Sequence, residues 1–407
     1  MKKKLILPFL LLAFAKISYA QPAPQNHTET DTTQAWQEES SVLLKGKPGG
    51  ITDNVHMNLL LRSSLELPSG AAQSSLKLNE ARFEVLGTIV PDLDFRVRWR
   101  LNRSHSQRSL DNAPGSLDIA AVNYRFGKNK KWSVNVGKQA AYVGSWEFEN
   151  NPTYEYQYSE FINYQTNIFM MGAKLGYKIN DNHSFHIQLH NTYNESFNNL
   201  HASTGYNNNG LKGSKNPMGV YVSWLGNLFD NKFHTFWSYN ISQYASGKTN
   251  HSIALGNKVT FDKFKAYLDL QQTSLPVDYA NIASPSLNRY AQSQNPGVEP
   301  VFASDINYKS AILRMDYEFV PGWFVTAKGY YESNSQTKNN STIGKNFREN
   351  IGYLGGIEYK PIASQNMKLF TYYYGSRVNY NNVVATANSN QKLNIFSAGI
   401  LYFVNAF

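Results

Sequence analysis

The chain has 407 residues, no cysteine, 27 tyrosines, 23 phenylalanines and a mean hydropathy of −0.46. Without cysteine it cannot form a disulfide framework or a cysteine zinc site, and the lack of any long apolar stretch after residue 20 excludes a membrane protein built from helices. The formal net charge of +10 falls to +6 beyond residue 20, because four lysines precede that point. This modest excess contains no basic block, so nucleic acid is a poor candidate partner.

Residues 1–20 are predicted to be a secretory signal peptide. Three lysines follow the first residue, residues 5–15 are almost wholly apolar, and Ser18 and Ala20 are small residues placed three and one before a cleavage site. The apolar run is too short to be a comfortable membrane-spanning helix. We therefore expect an exported chain, in which residues 21–51 form a polar N-terminal segment before the folded domain.

From residue 52 to residue 407 the sequence consists of short segments in which apolar and polar side chains alternate. Alternation with a period of two is typical of β-strands that have one apolar face. In lipid, only helices and closed barrels can satisfy every backbone hydrogen bond. We predict an all-β chain that forms a 16-stranded antiparallel transmembrane β-barrel.

The connections between these segments are alternately short and long. The short ones lie near residues 90–92, 127–131, 179–183, 226–231, 261–263, 320–322 and 360–366, and the long ones near residues 64–76, 103–115, 139–166, 194–216, 246–251, 274–305, 332–348 and 380–391. Short periplasmic turns and longer external loops are characteristic of bacterial outer-membrane barrels. The count of connections predicts 16 strands, with both chain ends on the side of the short turns.

The two faces of these segments differ in polarity. In residues 93–101 the apolar side chains occupy every second position, and the same alternation recurs in residues 183–193, 264–271, 310–319 and 323–332. We expect the apolar faces to contact lipid, because a charge that faces lipid at mid-depth costs roughly 2–4 kcal/mol. The last segment ends on the aromatic Phe407 and resembles the final strand of outer-membrane barrels, although Asn405 departs from that pattern.

Three arginines share the polar face of residues 93–101. Arg96, Arg98 and Arg100 lie about 7 Å apart along a strand, and Arg82 on the preceding segment is expected to join them. Because arginine stays charged at any working pH, such a ladder offers successive weak sites to an anion in the aqueous channel that a barrel of this size leaves. The alternative is that these arginines pair with carboxylates of the wall and only stiffen it. The carboxylates concerned are Glu80, Glu84, Asp94 and Asp118.

Residues 140–165 are the candidate constriction loop, expected to fold inward. They contain no lysine or arginine, but they contain Glu147, Glu149, Glu155 and Glu160 together with aromatic residues that include Tyr142, Trp146, Phe148, Tyr154, Tyr156 and Tyr158. An acidic, aromatic constriction suits cations or sugars better than phosphate. Opposite an arginine wall it would instead create a transverse electric field. The tyrosines either guide a sugar or, the reading we favour, pack the loop against the barrel wall.

Four stretches between residues 79 and 139 carry a resemblance to a known family. They are residues 79–85 (NEARFEV), 91–98 (PDLDFRVR), 117–124 (LDIAAVNY) and 136–139 (VGKQ). Together they resemble the phosphate-selective porin family, porins O and P. The resemblance implies a 16-stranded trimer with inward-folded loops, and it supports lumen roles for Arg96, Arg98 and Arg100. Phosphate-specific members carry a lysine cluster on the constriction loop, which residues 140–165 lack.

We interpret the chain as a passive porin for small anions such as phosphate in the bacterial outer membrane. It is expected to need no cofactor or metal, to form a homotrimer and to contact lipopolysaccharide. We do not expect an enzyme, because the sequence contains no recognisable hydrolase, metalloprotease or P-loop motif. Two alternatives stay open. One is a general or sugar-type porin; the other is a barrel enzyme or an adhesin that uses the loops at residues 194–216 and 274–305.

Overall fold

The computed structural model describes residues 54–70, 72–150, 155–338 and 343–405. These residues form a closed barrel of 16 antiparallel strands, in which each strand pairs with its neighbours in sequence and β1 pairs with β16. Closure leaves no strand with an unpaired edge, as lipid requires. The predicted fold class and strand number are confirmed.

The strands of the barrel follow one another in chain order. They are β1 Val55–Pro68, β2 Ser75–Val90, β3 Leu93–Arg100, β4 Leu117–Phe126, β5 Trp132–Ala140, β6 Phe169–Asn180, β7 His183–Asn191, β8 Met218–Leu228, β9 Phe233–Gln243, β10 Thr249–Thr260, β11 Phe264–Val277, β12 Ser304–Val320, β13 Trp323–Gln336, β14 Arg348–Tyr359, β15 Asn366–Tyr380 and β16 Gln391–Asn405.

Two of the short connections are two-residue turns that begin with proline. Pro91 precedes Asp92, whose φ is 76°, and Pro321 precedes Gly322, whose φ is 77°. Proline fixes the first central dihedral of such a turn, while the second central residue must adopt a positive φ. Local sequence therefore specifies these two tight turns, which are among the short connections of the predicted pattern.

Side chains alternate between an exposed apolar face and a buried polar one. On β7, Ile187 is 53% exposed on the outside, whereas the neighbouring Gln188 is completely buried on the inside. The same division holds on β11 to β13, where lysine, arginine and carboxylate side chains face inward. The predicted lipid-facing and lumen-facing sets are thus confirmed on these strands.

The α-helices of the described chain occur only in the longer connections. They are α1 Trp146–Glu149, α2 Phe197–Thr204 and α3 Ser284–Gln294, and single helical turns of other types lie at Lys128–Lys130, Phe161–Gln165 and Val384–Thr386. No described helix is long and apolar enough to cross a membrane.

The long connections at one end of the barrel pack together into an apolar group, which we call the loop cluster. Its buried members include Phe197, Tyr279, Leu287, Phe302, Phe347 and Val384. They come from four separate connections, so that end of the barrel is covered by loops with a common core. The predicted signal peptide, the polar segment at residues 21–51 and Phe407 lie outside the described residues.

Candidate solute pathway in the lumen

The arginines of the predicted ladder lie side by side on two neighbouring strands. Arg100 on β3 pairs in register with Arg82 on β2, and Arg98 pairs with Glu84. All of them lie on the inner face. Arg96 keeps the most contact with the lumen, with 27% of its side chain exposed, whereas Arg82 is nearly buried.

One carboxylate, Asp118 on β4, is shared by three of these arginines. Its oxygens lie 2.9 Å from Arg100 Nε, 3.3 Å from Arg98 Nε and 3.5 Å from Arg82 Nη1. Burial alone would disfavour the ionised carboxylate, but three guanidinium groups outweigh that cost. A single negative charge cannot neutralise three positive ones, so this part of the wall keeps a positive excess.

The remaining wall carboxylates leave that excess in place. Glu84 accepts a hydrogen bond from Arg96 Nε at 2.7 Å, and Glu80 lies 2.9 Å from Arg82 Nε and 3.9 Å from Arg62 Nη2. Five arginines therefore face these three carboxylates, while Glu66 and Asp94, the other described carboxylates of β1 to β4, pair with Lys77 and Arg125. We call this group the basic cluster: Arg62, Arg82, Arg96, Arg98, Arg100, Glu80, Glu84 and Asp118. The arginines are paired with wall carboxylates, as one interpretation of the ladder expects. They also outnumber these carboxylates, which leaves positive charge for an anion, as the other interpretation expects.

Arg98 is the member of the basic cluster whose hydrogen bonding is least satisfied. Its Nε lies within ion-pair distance of Asp118, but the atom is buried and has no hydrogen bond of acceptable geometry in the described structure. A buried, charged donor without an acceptor is costly. Arg98 is therefore the arginine that gains most from an additional anion.

The described residues between β5 and β6, 141–150 and 155–168, run inside the barrel, and we call them the inner segment. Ala141 N donates to Ile168 O (2.9 Å) at its base. Tyr142 N then donates to Gln188 Oε1 on β7 (2.9 Å), and its carbonyl accepts from Ser223 Oγ on β8 (2.9 Å). These partners belong to the inner faces of the strands, so this connection lies within the lumen.

A carboxylate of β11 begins helix α1 within the inner segment. Asp269 accepts hydrogen bonds from Ser145 Oγ (2.7 Å), Trp146 N (3.1 Å) and Glu147 N (2.9 Å). The N–H groups at the first turn of a helix have no partner within the helix, and the oxygens of this carboxylate accept hydrogen bonds from two of them. The first turn of α1 is thereby fixed to the wall opposite the basic cluster.

Two of the four inner-segment carboxylates converge on one lysine of β13. Lys328 Nζ donates to Glu147 Oε1 (2.6 Å), Glu155 Oε2 (2.8 Å) and Gln157 O (2.7 Å), which uses all three of its donors. Burial would raise the pKa of Glu155, but the charges of Lys328 and Arg314 outweigh burial and hold that pKa below its usual value. Glu147 and Glu155 thus both lie at ion-pair distance from buried cations of the wall.

Glu160 is compensated in the same way on the next strand. It forms a bidentate pair with Arg348 of β14, at 2.7 Å from Nη1 and 2.6 Å from Nη2. The backbone N–H groups of Glu160 and Phe161 donate to Glu332 of β13 at 3.1 and 3.0 Å. The far end of the inner segment is therefore bound to β13 and β14.

Three aromatic residues of the inner segment, Tyr142, Trp146 and Tyr156, are buried against the wall. The Tyr156 ring lies 4.6 Å from the Phe370 ring and 5.2 Å from the Tyr372 ring, and its hydroxyl donates to Glu358 at 2.9 Å. Tyr142 and Trp146 are also more than nine-tenths buried. Most of the surface of these rings is already used for packing.

Glu149 differs from the other three carboxylates, because the cations that act on it come from β3, β6 and β10 and not from β12 to β14. The charges that act on it come from Lys174 on β6, Lys258 on β10, and Arg96 and Arg98 on β3. Burial is the largest influence and raises the pKa of Glu149 above its usual value, although these four cations lower it. Glu149 is the inner-segment carboxylate on which the charges of two ladder arginines act.

Three lysines of the site were not among its predicted residues: Lys174, Lys258 and Lys328, of which the alternation in residues 323–332 had placed only Lys328 on the lumen face. All three lie on the inner faces of their strands, so the period-two alternation contained the signal that could have identified them. Their partners, however, lie up to 181 residues away in sequence. Among the described residues, no group of three histidine or carboxylate side chains is arranged to hold a metal ion.

Comparison with known proteins agrees with this geometry. A model of the family described as phosphate-selective porin O and P matches residues 68–403. The fold is similar to the outer membrane channel DcaP of Acinetobacter baumannii, with a TM-score of 0.58, 11% identity, and coverage of 86% of this chain and 97% of that chain. An anion-selective porin from Comamonas acidovorans is similar with a TM-score of 0.55 and 12% identity, over 86% of this chain and 99% of that chain. Salmonella typhi OmpF is similar with a TM-score of 0.53 and 15% identity, over 86% of this chain and 97% of that chain. No curated protein sequence gives a significant match.

Proposed function

Since the chain belongs to the phosphate-selective porin O and P family and is an outer-membrane diffusion porin for anions, we propose that the basic cluster carries this anion preference. The inner segment narrows the pathway beside it, and inorganic phosphate is among the solutes that pass. Transport is diffusion down a gradient and needs no cofactor.

The sharing of Asp118 by Arg82, Arg98 and Arg100 is the observation that carries this proposal. A cleft lined by an excess of one charge raises the local concentration of the opposite ion, and more so between walls of low dielectric constant. Successive arginines on β3 then give an anion several weak sites. Weak sites in series permit release as well as entry, which conduction requires.

The acidic composition of the inner segment does not oppose this preference. Glu147, Glu155 and Glu160 are bound by buried cations of β12 to β14, and their charges are neutralised where they stand. Charges compensated at contact distance have little field in the rest of the lumen. An acidic loop is therefore compatible with an anion channel.

A sugar pathway along the aromatic residues has less support. The rings of Tyr156, Phe370 and Tyr372 stack on one another and are more than nine-tenths buried. A sugar needs an exposed ring face to stack on. The packing role of the tyrosines is the one that the contacts favour.

Reversal potentials under a tenfold KCl gradient in planar bilayers test the proposal. We expect an anion-favouring potential for the wild type and a clear loss of anion preference for the double variant Arg98→Ala, Arg100→Ala. The matched control is Arg103→Ala with Arg377→Ala, which removes two exposed arginines outside the cluster. Equal permeability ratios for the wild type and the Arg98/Arg100 variant would refute a role for the ladder.

We also propose that three copies of the chain assemble into a trimer that contacts lipopolysaccharide, as the family resemblance implies. Leu76 and Leu78 near one rim expose large apolar surfaces that a second copy or lipid would cover. Native mass spectrometry of the detergent-extracted protein tests both parts. A trimeric mass with bound lipopolysaccharide is the expected result, and a monomer without lipid would contradict it.

A further inference from the structure

Four cations from three strands surround the stretch of the inner segment that ends at Glu149. Lys174 Nζ lies 3.8 Å from the centroid of the Tyr142 ring, and Lys258 Nζ lies 4.0 Å from that of the Trp146 ring. Both distances are typical of cation–π contacts, which fix the position of an ammonium group. The two lysine tips are thus held against the inner segment from β6 and β10.

The third strand that supplies positive charge near Glu149 is β3. The guanidinium of Arg98 lies 5.0 Å above the Phe169 ring, and the Phe148 ring packs 5.9 Å from the same Phe169. Phe148 directly precedes Glu149, so this aromatic contact brings the Glu149 side of α1 towards the ladder. The carboxylate consequently enters a region in which positive charge is supplied from three directions.

Glu149 can leave this region without dismantling the inner segment. It is the last residue of α1, whereas the contacts that hold α1 in place are made by Ser145, Trp146 and Glu147 with Asp269 and by Glu147 with Lys328. Its side chain is only partly buried. Rotation of this one side chain is enough to withdraw the carboxylate.

We propose that Glu149 is a tethered counter-ion, which occupies an anion-binding site formed by Arg96, Arg98, Lys174 and Lys258 and is displaced by a permeating oxyanion such as phosphate. The inference rests on the proposed function, because it names the residue that competes with the solute. Carboxylate and phosphate make the same charge-assisted hydrogen bonds to guanidinium and ammonium groups. A competitor attached to the same chain acts at a high effective concentration and weakens apparent solute affinity.

Inhibition of the chloride current by inorganic phosphate tests this proposal in the full-length porin. Glu149→Gln removes the competing charge, and we expect the half-inhibiting phosphate concentration to fall by about tenfold. Glu149→Asp keeps the charge but shortens its reach, and an intermediate fall is expected. Glu318→Gln is the control, because it removes one inward-facing carboxylate from β12 and still accepts the hydrogen bond from Gly322 N.

A general change of lumen charge predicts a different pattern. It would lower the half-inhibiting phosphate concentration by the same factor in Glu149→Gln and Glu318→Gln, and it would leave that concentration at the wild-type value in Glu149→Asp. Either result would overturn the proposal that Glu149 is a tethered counter-ion. Failure of the proposed function looks different again. In that case, the Arg98/Arg100 variant keeps the wild-type permeability ratio, whatever Glu149→Gln does.

Discussion

Lys328 and Glu147 form a buried ion pair, with Nζ 2.6 Å from Oε1, although 181 residues separate them in sequence. The pair joins β13 to the start of the inner segment. Glu155, further along the same segment, also accepts a hydrogen bond from Lys328, so a single lysine holds two points of the inner segment. The cation that the acidic segment lacks is supplied by the barrel wall.

Replacement of Lys328 by methionine is expected to release the inner segment. Removing one partner of a buried ion pair leaves uncompensated carboxylates and typically costs about 3–5 kcal/mol. We expect a lower unfolding temperature, a noisier and larger single-channel conductance, and faster proteolysis within residues 141–168. Thermal denaturation and single-channel recording provide the measurements.

The control for this variant is Lys265→Met, which removes an exposed, inward-facing lysine of β11. It changes the lumen charge by the same amount without touching an anchor of the inner segment. If both variants have the same conductance noise and the same stability, Lys328 does not anchor the inner segment.

Asp118→Asn tests the sharing of one carboxylate by three arginines. The substitution removes the carboxylate that lies within ion-pair distance of Arg82, Arg98 and Arg100 together. We therefore expect an anion/cation permeability ratio that is higher by roughly twofold, together with a loss of stability of about 3–5 kcal/mol. Reversal potentials and urea unfolding measure the two effects.

Asp94→Asn is the matched control for Asp118→Asn. Asp94 pairs with the half-exposed Arg125 on the same part of the wall, and an exposed pair of this kind contributes about 0–1 kcal/mol. We expect Asp94→Asn to change stability little. Equal destabilisation by the two variants would show that Asp118 is no more than an ordinary wall carboxylate.

The fold was predictable because its determinants are local. Alternation within each strand and residues such as Pro321 and Gly322 at the turns specify faces, strand ends and strand number without knowledge of distant contacts. The inward position of Arg98 follows from the same alternation. Such features need only the period of two and the chemistry of turns.

The charge balance of the site was not predictable in the same way. The sequence places Glu147, Glu155 and Glu160 in a segment without cations and so indicates an acidic constriction. Their neutralisation by Lys328 and Arg348 depends on where the inner segment crosses the lumen. That path is set by tertiary contacts across the barrel, which no local pattern records.

Asp278 is expected to hold the loop cluster together. Its carboxylate is fully buried and accepts hydrogen bonds from Ala283 N (2.9 Å), from Ser284 N and Oγ (both 2.7 Å) and from Tyr308 Oη (2.5 Å). In Asp278→Asn one acceptor becomes a donor that faces other donors. We expect faster cleavage of residues 278–303 by protease added to whole cells. Asp305→Asn is the control, because Asp305 pairs with the exposed Lys338 in an ion pair, and we expect its cleavage to match the wild type.

The pH dependence of anion selectivity should report on Glu149. Burial raises the pKa of this carboxyl group, so it gains a proton at a higher pH than an exposed glutamate does. As the pH falls through this raised pKa, Glu149 loses its negative charge and no longer competes for the surrounding cations. We expect the chloride/potassium permeability ratio of the wild type to rise over that interval.

Other groups near Glu149 require a variant that separates their contributions. His186 lies 4.6 Å from Tyr142 and His234 lies 6.1 Å from Trp146, measured between ring centroids. Protonation of either histidine would also add positive charge. Glu149→Gln retains both histidines, so a rise in selectivity that disappears in this variant belongs to Glu149. A rise that persists unchanged in Glu149→Gln would assign it to the histidines and remove Glu149 from the explanation.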